Sequence, residues 1–368
     1  MGDNLQRIDP WGSIDIKNYE KLSKEFGIQP FKKILSKVSN PSVYMKRNII
    51  YGHKDFEIIL NAINKKQKFA MLTGLMPSGK FHLGHKVIAD QIVYYQSLGA
   101  SCYITAADIE SYLTRNISLK DAYKIAINDY LLNYIALGLK PHNVHFYFQS
   151  RGSKEYMNLS KYVSKKTTFN EVKAIYGDIN PAKLISALTQ VTDILYPQLK
   201  ENNGPKPVIV PVGFDQLPHI NFTRDIALRM KEYNFILPSA TFNKFMPSLQ
   251  GDAKMSSSKP ESYIALTDDE KTVSNKIMKY AYSGGQATIK EHREKGGNPD
   301  VDVSYQWLTF LEENDRKLEK IYYDYKSGKL LTFELKQILI EKLNSFLKKH
   351  RQNREKAKKI VHKFILND

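Results

Sequence analysis

Between residues 50 and 260, short apolar runs alternate with longer stretches whose apolar positions recur every three or four residues. Four of the short runs, Phe69 to Thr73, Ser101 to Ala106, Val144 to Phe148 and Val208 to Val212, have the length and apolar continuity of buried strands. The turn-forming Asn202-Asn203-Gly204-Pro205 announces the last of them. His85 to Leu98 and Leu119 to Leu137 carry the helical period, the second after Ser118, a residue suited to cap a helix N-terminus. Strands and helices alternating at this spacing predict an α/β fold, a parallel sheet with crossover helices. After Ser283-Gly284-Gly285 the strand pattern stops. From Tyr305 onward the chain predicts only helices, broken at Lys326-Ser327-Gly328. At the other end, Asp9-Pro10-Trp11-Gly12 and the amphipathic Tyr19 to Phe26 read as an N-terminal appendage. The expected division is therefore 1–48 as appendage, 49–270 as sheet unit and 271–368 as helical unit, with no internal repeat.

Composition changes this picture in two places. With 368 residues, 42% hydrophobic and 25% charged, the chain has an ordinary globular balance and enough length for two or three cores. Its single cysteine, Cys102, excludes an internal disulfide and offers no Cys-x-x-Cys zinc site. The formal charge of +17 is the unusual quantity, and it points to a polyanionic partner, most simply a nucleic acid. From Asn275 to the end there are 20 Lys+Arg against 13 Asp+Glu, so the helical unit holds more than its proportional share. Met1 to Pro10 is too polar for a signal peptide, and no apolar run reaches the ~18 residues of a membrane span. A cytoplasmic protein without a membrane segment is expected.

Two segments carry chemistry, and a third mimics it. Gly74-Leu75-Met76-Pro77-Ser78-Gly79-Lys80 fits a phosphate-cradling loop between strand and helix. Phe81 follows where a hydroxyl would have to hold magnesium, and Pro77 removes a backbone donor, so a P-loop ATPase is not supported. His82-Leu83-Gly84-His85 then opens the helix. Two histidines three residues apart share a helix face, at the end where free N–H groups and the dipole favour anions, and Gly84 lets a planar ligand approach the backbone. Such a pair suits nucleotide phosphates, though it also fits half of a metal site or two solvated polar residues. Lys254-Met255-Ser256-Ser257-Ser258 offers a mobile ammonium and three hydroxyls in a Gly/Ser-rich loop, a pattern that taken alone also fits an ordinary solvated loop.

In this order along an alternating strand–helix segment, the two motifs resemble the signatures of class I aminoacyl-tRNA synthetases. The likeness extends to the tryptophanyl-tRNA synthetases of archaeal and eukaryotic type through Asp9-Pro10-Trp11, Thr168 to Lys173, Asp215-Gln216, Thr223-Arg224-Asp225, Leu249-Gln250-Gly251 and the run from Ser283 to Ser304. Tyrosyl enzymes share the fold and both signatures but lack the Asp-Pro-Trp start and the long run. A catalytically silent, tRNA-binding paralogue is the reading of another class, and the two intact motifs weigh against it. The resemblance implies a Rossmann-like catalytic domain with a connecting insertion, and an all-helical anticodon-binding domain. It implies that Pro77, Ser78, Gly79, His82, Gly84, His85 and Lys254 contact ATP, with Met255, Ser256, Ser257 and Ser258 completing the catalytic loop. It places Leu72, Thr105, Glu110, Asp215, Gln216 and Gln250 around the amino acid, with Gln216 on its ammonium group, and Tyr282, Gln286 and Lys336 at the tRNA anticodon. Tryptophan, ATP with Mg2+ as the substrate complex and tRNA(Trp) are the implied partners. No dedicated metal site, tightly bound cofactor or editing module is expected, and a homodimer is implied, with apolar residues between 155 and 200 at its interface. Two departures stand out: many relatives have tyrosine where Leu72 stands and glutamine where Thr105 stands, the groups that address the indole N–H. Relatives also carry Arg-Asp in place of Gln286-Ala287.

Overall fold

The computed structural model describes residues 19–365. A seven-stranded sheet of order β1-β2-β7-β6-β3-β4-β5 lies at its centre. The strands are β1 Gln29–Pro30, β2 Ile50–Lys54, β3 Ala70–Leu75, β4 Ser101–Ala106, β5 Val144–Phe148, β6 Val208–Gly213 and β7 Ser239–Asn243. β3 to β7 are parallel, and β2 and β1 add an antiparallel edge. The four apolar runs of the sequence are β3 to β6. β7 escapes the apolar pattern because Ser239, Thr241 and Asn243 are buried polar residues, and the Ser239 hydroxyl is accommodated by donating to Asp55 O at 2.7 Å. From β3 the chain steps to β4 and β5 on one side, then returns to β6 and β7 on the other. Such a reversal leaves a crevice at the carboxyl ends of the strands flanking it, here β3 and β6.

Helices that flank this crevice are α1 Leu83–Ser97 after β3, α2 Asp108–Arg115 after β4, α3 Pro181–Leu195 before β6 and α4 Leu217–Arg229 after β6. The single helix expected over Leu119 to Leu137 is instead α-helical to Ile125, π-helical over Ala126–Leu131 and α-helical again over Leu132–Leu137. Ser118 caps it, its Oγ accepting Asp121 N–H at 3.1 Å. The wide turn contains Asp129, whose Oδ2 accepts the N–H of Phe81 at 2.6 Å and whose Oδ1 accepts Asn133 Nδ2 at 3.0 Å. Interruptions of this kind recur where a helix must place one side chain for function.

One continuous core joins the sheet to the helical unit. Phe81, Leu83, Val87 and Ile92 pack with Tyr130 and Tyr134, and the same cluster includes Trp307, Leu335, Leu339, Leu343 and Leu347. The last four lie on α5, Thr332–Lys358. Trp307 is fully buried and donates Nε1–H to Pro247 O at 3.0 Å. Within the expected appendage, Asp9-Pro10-Trp11 lies outside the described residues and Tyr19–Glu25 is a helix. Phe31, Ile34, Val38, Tyr44 and Met45 are buried in the main core, and Arg47 reaches Asp315 and Thr309 O in the helical unit. Cys102 is buried in β4, and burial pushes its thiol up to about 12. Among the described residues no helix is long and apolar enough to cross a membrane.

The basic residues Lys348, Lys349, His350, Arg351, Arg354, Lys356, Lys358 and Lys359 at the end of α5 fit by sequence either a phosphate-contact face or a solvated helix surface, and three of them turn inward. His350 Nε2 donates to Asn133 Oδ1 at 2.8 Å, Arg351 donates to Asp268 O at 2.8 Å, and Arg354 lies 3.6 Å from Asp129. Lys348, Lys349, Lys356 and Lys359 remain exposed.

Burial holds His350 down at about 4, helped by Arg354, Lys86 and Arg351, and burial alone holds His219 at about 3. Both rings are neutral in the fold, whereas an unfolded histidine titrates near 6.5. The unfolded chain therefore takes up protons that the folded chain refuses, and stability falls as pH drops from 6.5 towards 4. For one such group the loss is roughly 2 kcal/mol at pH 5. The urea midpoint is expected to decline over this interval, and His350→Gln, which can still donate to Asn133, is expected to make the decline shallower. A pH profile untouched by the substitution would assign the titration to other groups.

Candidate active site

β3 ends at Leu75, and residues 76–81 cross to the start of α1. His82 is the residue before the first turn, in extended backbone at φ −123° and ψ 176°. Its Nδ1 accepts the N–H of Gly84 at 3.1 Å, and its own N–H is donated to Nδ1 of His85 at 3.1 Å. Imidazole nitrogens thus do the capping that hydroxyls or carboxylates usually do. Because both Nδ1 atoms accept, both rings carry their proton on Nε2. The ring centroids are 3.8 Å apart. Burial, with His85 adding to it, holds His82 well below the usual imidazole range, and burial holds His85 at about 4. A Cβ on Gly84 would stand 2.9 Å from His82 Cε1, so glycine is what allows the His82 ring to fold back onto the helix.

The supposed phosphate loop is something else. Lys80 is exposed, and Phe81 is wholly buried against Tyr130 and Tyr134, with its N–H given to Asp129. Gly79 lies under the serine loop, where a Cβ would meet Ser257 Cβ at 3.0 Å.

Lys254 to Ser258 come to this helix end from across the chain because the segment after them is stapled beside α1. Leu83 N–H bonds Ile264 O at 3.2 Å, Leu266 N–H bonds Phe81 O at 3.0 Å, and the Tyr263 ring lies 4.9 Å from that of His82. His82 Nε2 and Ser257 Oγ are 3.4 Å apart, and Ser256 and Ser258 hydroxyls meet at 2.9 Å. Lys254 Nζ is 3.1 Å from Asp215 Oδ2 and 5.6 Å from the centre of the Phe245 ring.

Two cavities adjoin at the crevice. The outer one, about 610 Å³, is lined by Ser78, His82, Gly84, His85, Lys254 and Met255 to Ser258. The inner one, about 280 Å³, is lined by Leu72, Thr105, Glu110, Gln149, Asp193 and Gln216 among others. Thr73, Gly74, Met76, Ile88, Arg115 and Gln216 border both. Inside, Gln149 Oε1 accepts Glu110 N–H at 3.3 Å, and Gln190 Nε2 donates to Glu110 Oε2 at 3.5 Å. Asp193 accepts Tyr156 OH at 2.8 Å, Tyr147 OH at 3.1 Å and Gln149 Nε2 at 2.8 Å. Burial pushes its carboxyl up to about 7 against the pull of these donors and of Thr105. Among the described residues no three His, Cys, Asp or Glu side chains are grouped to hold a metal ion.

The crevice thus gathers Leu72, Ser78, Thr105, Glu110, Asp215, Gln216 and both signature motifs. Pro77 and Gly79 flank it without lining either cavity. Gln250 lies apart, exposed, its amide donating to Glu261 O at 3.1 Å. Tyr282 is an exposed aromatic, Gln286 donates to Gly296 O at 2.9 Å, and Lys336 Nζ reaches Met278 O at 3.3 Å. Ser283 and Thr332 hydroxyls, 3.3 Å apart, bring the 282–286 turn to the start of α5. Sequence reasoning passed over Arg115, Gln149, Gln190 and Asp193. For Asp193 a signal was present, an acid inside the apolar run Val191-Thr192-Asp193-Ile194-Leu195.

With this geometry in view, the comparisons are specific. Residues 64–348 match the family described as tRNA synthetases class I (W and Y). A tryptophan–tRNA ligase of Methanocaldococcus jannaschii is 44% identical over 367 residues, covering 98% of each chain. The crystal structure of tryptophanyl-tRNA synthetase from Aeropyrum pernix matches with a TM-score of 0.91 at 44% identity, over 97% of this chain and 98% of that one. That of Plasmodium falciparum tryptophanyl-tRNA synthetase matches at 0.82 and 32% identity, over 94% and 97%. By sequence along nearly its whole length, and by fold, the chain belongs to the tryptophanyl-tRNA synthetases of class I.

Proposed function

We propose that this chain activates tryptophan with ATP, forming tryptophanyl-adenylate and pyrophosphate, and passes the tryptophanyl group to the terminal adenosine of tRNA(Trp). The observation that carries the reading is the pair of cavities meeting at Gly74 and Gln216, the smaller one floored by polar groups, the larger one lined by the two histidines, Lys254 and the three serines. An amino acid in the inner cavity places its carboxylate at the boundary, where it can attack the α-phosphorus of ATP lying in the outer one. The protein then supplies placement and charge stabilisation, with no nucleophile of its own.

In this reading Gln216 and Glu110 take the ammonium group of tryptophan, while Ser78 with its Pro77 and Gly79 neighbours, Gly84 and the Nε2–H groups of His82 and His85 meet ATP. Neutral imidazoles that donate from Nε2 can follow the developing charge on the phosphorus without demanding it in the ground state. Lys254, held by Asp215 at 3.1 Å, is the mobile cation that transfers to the departing pyrophosphate, and the three serines line its path. Magnesium arrives with ATP and is held by its phosphates. The division into a sheet unit over 49–270 and an anticodon unit over 271–368 belongs to the same proposal, with Tyr282 stacking on an unpaired base and Gln286 and Lys336 beside it. Met157, Tyr162, Phe169 and Ile185 leave an exposed apolar surface on neighbouring helices, which supports a homodimer through this face. Cytoplasmic action follows from the partners proposed.

Exchange of labelled pyrophosphate into ATP, run with each of the twenty amino acids, is expected to respond to tryptophan; a response to tyrosine alone would move the chain to the tyrosyl branch. Lys254→Ala is expected to lower kcat of that exchange by roughly 100- to 1,000-fold with little change in KM for tryptophan. A rise in KM at unchanged kcat would remove Lys254 from the transition state. Sedimentation of the wild-type chain is expected to give a dimer, and of Phe169→Glu with Tyr162→Glu a monomer; two identical profiles would place the contact elsewhere.

A further inference from the structure

Phe81, the residue before His82, is pinned through its own N–H and C=O. Its N–H is given to Asp129 Oδ2 at 2.6 Å, and its carbonyl accepts Leu266 N–H at 3.0 Å. The ring is buried against Tyr130 and Tyr134, two residues that also wall the outer cavity. The angle at which the chain enters α1, and with it the fold-back of the His82 ring, is therefore set at Phe81. Nothing inside the His82 to His85 motif sets it. The acceptor comes from a residue 48 positions further on and, behind that residue, from α5.

Four groups form a hydrogen-bond chain that runs in one direction. His350 Nε2–H donates to Asn133 Oδ1 at 2.8 Å, Asn133 Nδ2 donates to Asp129 Oδ1 at 3.0 Å, and Asp129 Oδ2 takes the Phe81 N–H. Each role is fixed by its neighbours. Two N–H donors face Asp129, so both of its oxygens must accept, and Asn133 must turn its oxygen to His350 to keep its nitrogen for Asp129. Asn133 and His350 are 0% and 2% exposed, which keeps water from taking over the links between them. Arg354, 3.6 Å from Asp129 Oδ1, sets a cation beside the carboxylate and donates to Asn128 O as well. Asn353 donates to Ala136 O at 3.3 Å, so α5 grips the interrupted helix on both sides of Asp129. The π-helical turn, Ala126–Leu131, lies where this grip and the Phe81 contact meet.

We propose that Asp129 is a positioning residue for adenylate formation: oriented from α5 through His350 and Asn133, it fixes the Phe81 peptide so that His82 and His85 meet ATP in register. It touches no substrate. Its effect is on geometry, and a shift of about 1 Å in a group that meets the reacting atoms can cost roughly 100-fold in rate.

The assignment rests on the outer cavity being the ATP site of a ligase, and a swap of two chain members tests it. Asp129→Asn alone sets an N–H against another donor, and Asn133→Asp alone sets two carboxylates together. Each is expected to lower kcat of tryptophan-dependent pyrophosphate exchange by roughly 10- to 100-fold, with the calorimetric Kd for tryptophan changed by less than about twofold. The double variant, Asp129→Asn with Asn133→Asp, again alternates donor and acceptor from His350 to Phe81. It is expected to regain kcat to within about threefold of the wild type. If Asp129 serves stability alone, the single variants would lower the urea midpoint and leave kcat of the folded protein in place, which would overturn the assignment. A folded double variant no faster than the singles would do the same.

Hydrogen–deuterium exchange over residues 78–82 reads the chain without catalysis. Strong protection is expected in the wild type, lost in His350→Ala and kept in His350→Gln, whose amide still donates to Asn133. A wild-type segment that exchanges like an exposed loop, or one indifferent to His350→Ala, would overturn the assignment even where the swapped variant fails to fold. A chain with the expected protection but no pyrophosphate exchange for any amino acid would sink the ligase reading and leave the link from α5 to Phe81 standing.

Discussion

His82 and His85 stand with their ring centres 3.8 Å apart, each taking a backbone N–H on its Nδ1. That arrangement exists only while both rings are uncharged, since a proton on either Nδ1 would abolish a cap and set like charges against each other. Neutrality in turn requires burial. The Tyr263 to Leu266 segment closes one side, and Phe81 with Tyr130 and Tyr134 closes the other. Those walls depend on the wide turn that lets Asp129 hold Phe81 N–H, and Asp129 depends on Asn133 and His350. The signature is thus a local motif whose geometry is maintained by the C-terminal helix.

Much of this was legible in the chain. β3 to β6 and the helix over α1 followed from continuous apolar runs and a clear helical period, because those segments are buried for hydrophobic reasons. β7 and the β1–β2 edge did not, because their places in the sheet are decided by polar pairing and by two-residue contacts that leave no period. The two signatures were readable as chemistry, while their meeting followed from the family resemblance and not from any local pattern. It arises from backbone bonds such as Leu83 to Ile264, which are independent of side-chain identity. The polar floor of the inner cavity was hidden for a related reason. Gln149 follows β5 while Gln190 and Asp193 share α3, and of the three only Asp193, an acid inside an apolar run, leaves a signal in the sequence.

Charge gives the same lesson in quantitative form. The surplus of +17 invited the view that clustered Lys and Arg mark the polyanion's path. In the fold, Arg47, Arg224, Arg351 and Arg354 bind carbonyls and carboxylates of this chain itself. Guanidinium groups suit that use because a planar fork can satisfy several acceptors at once. Exposed lysines, such as Lys348 and Lys349, carry the long-range field instead, a field that is screened by salt over about 8 Å at physiological ionic strength.

The burial of Cys102 has a practical side. A thiol shifted to about 12 and enclosed in β4 presents almost no thiolate at neutral pH. Alkylating reagents and mild oxidants therefore find the native chain essentially silent, with no background to subtract. A cysteine introduced at any exposed position, whether on the 254–258 loop or at the far end of α5, would be the sole reactive thiol. The protein thus arrives ready for paired spectroscopic probes that report distances between the 254–258 loop and the C-terminal helix.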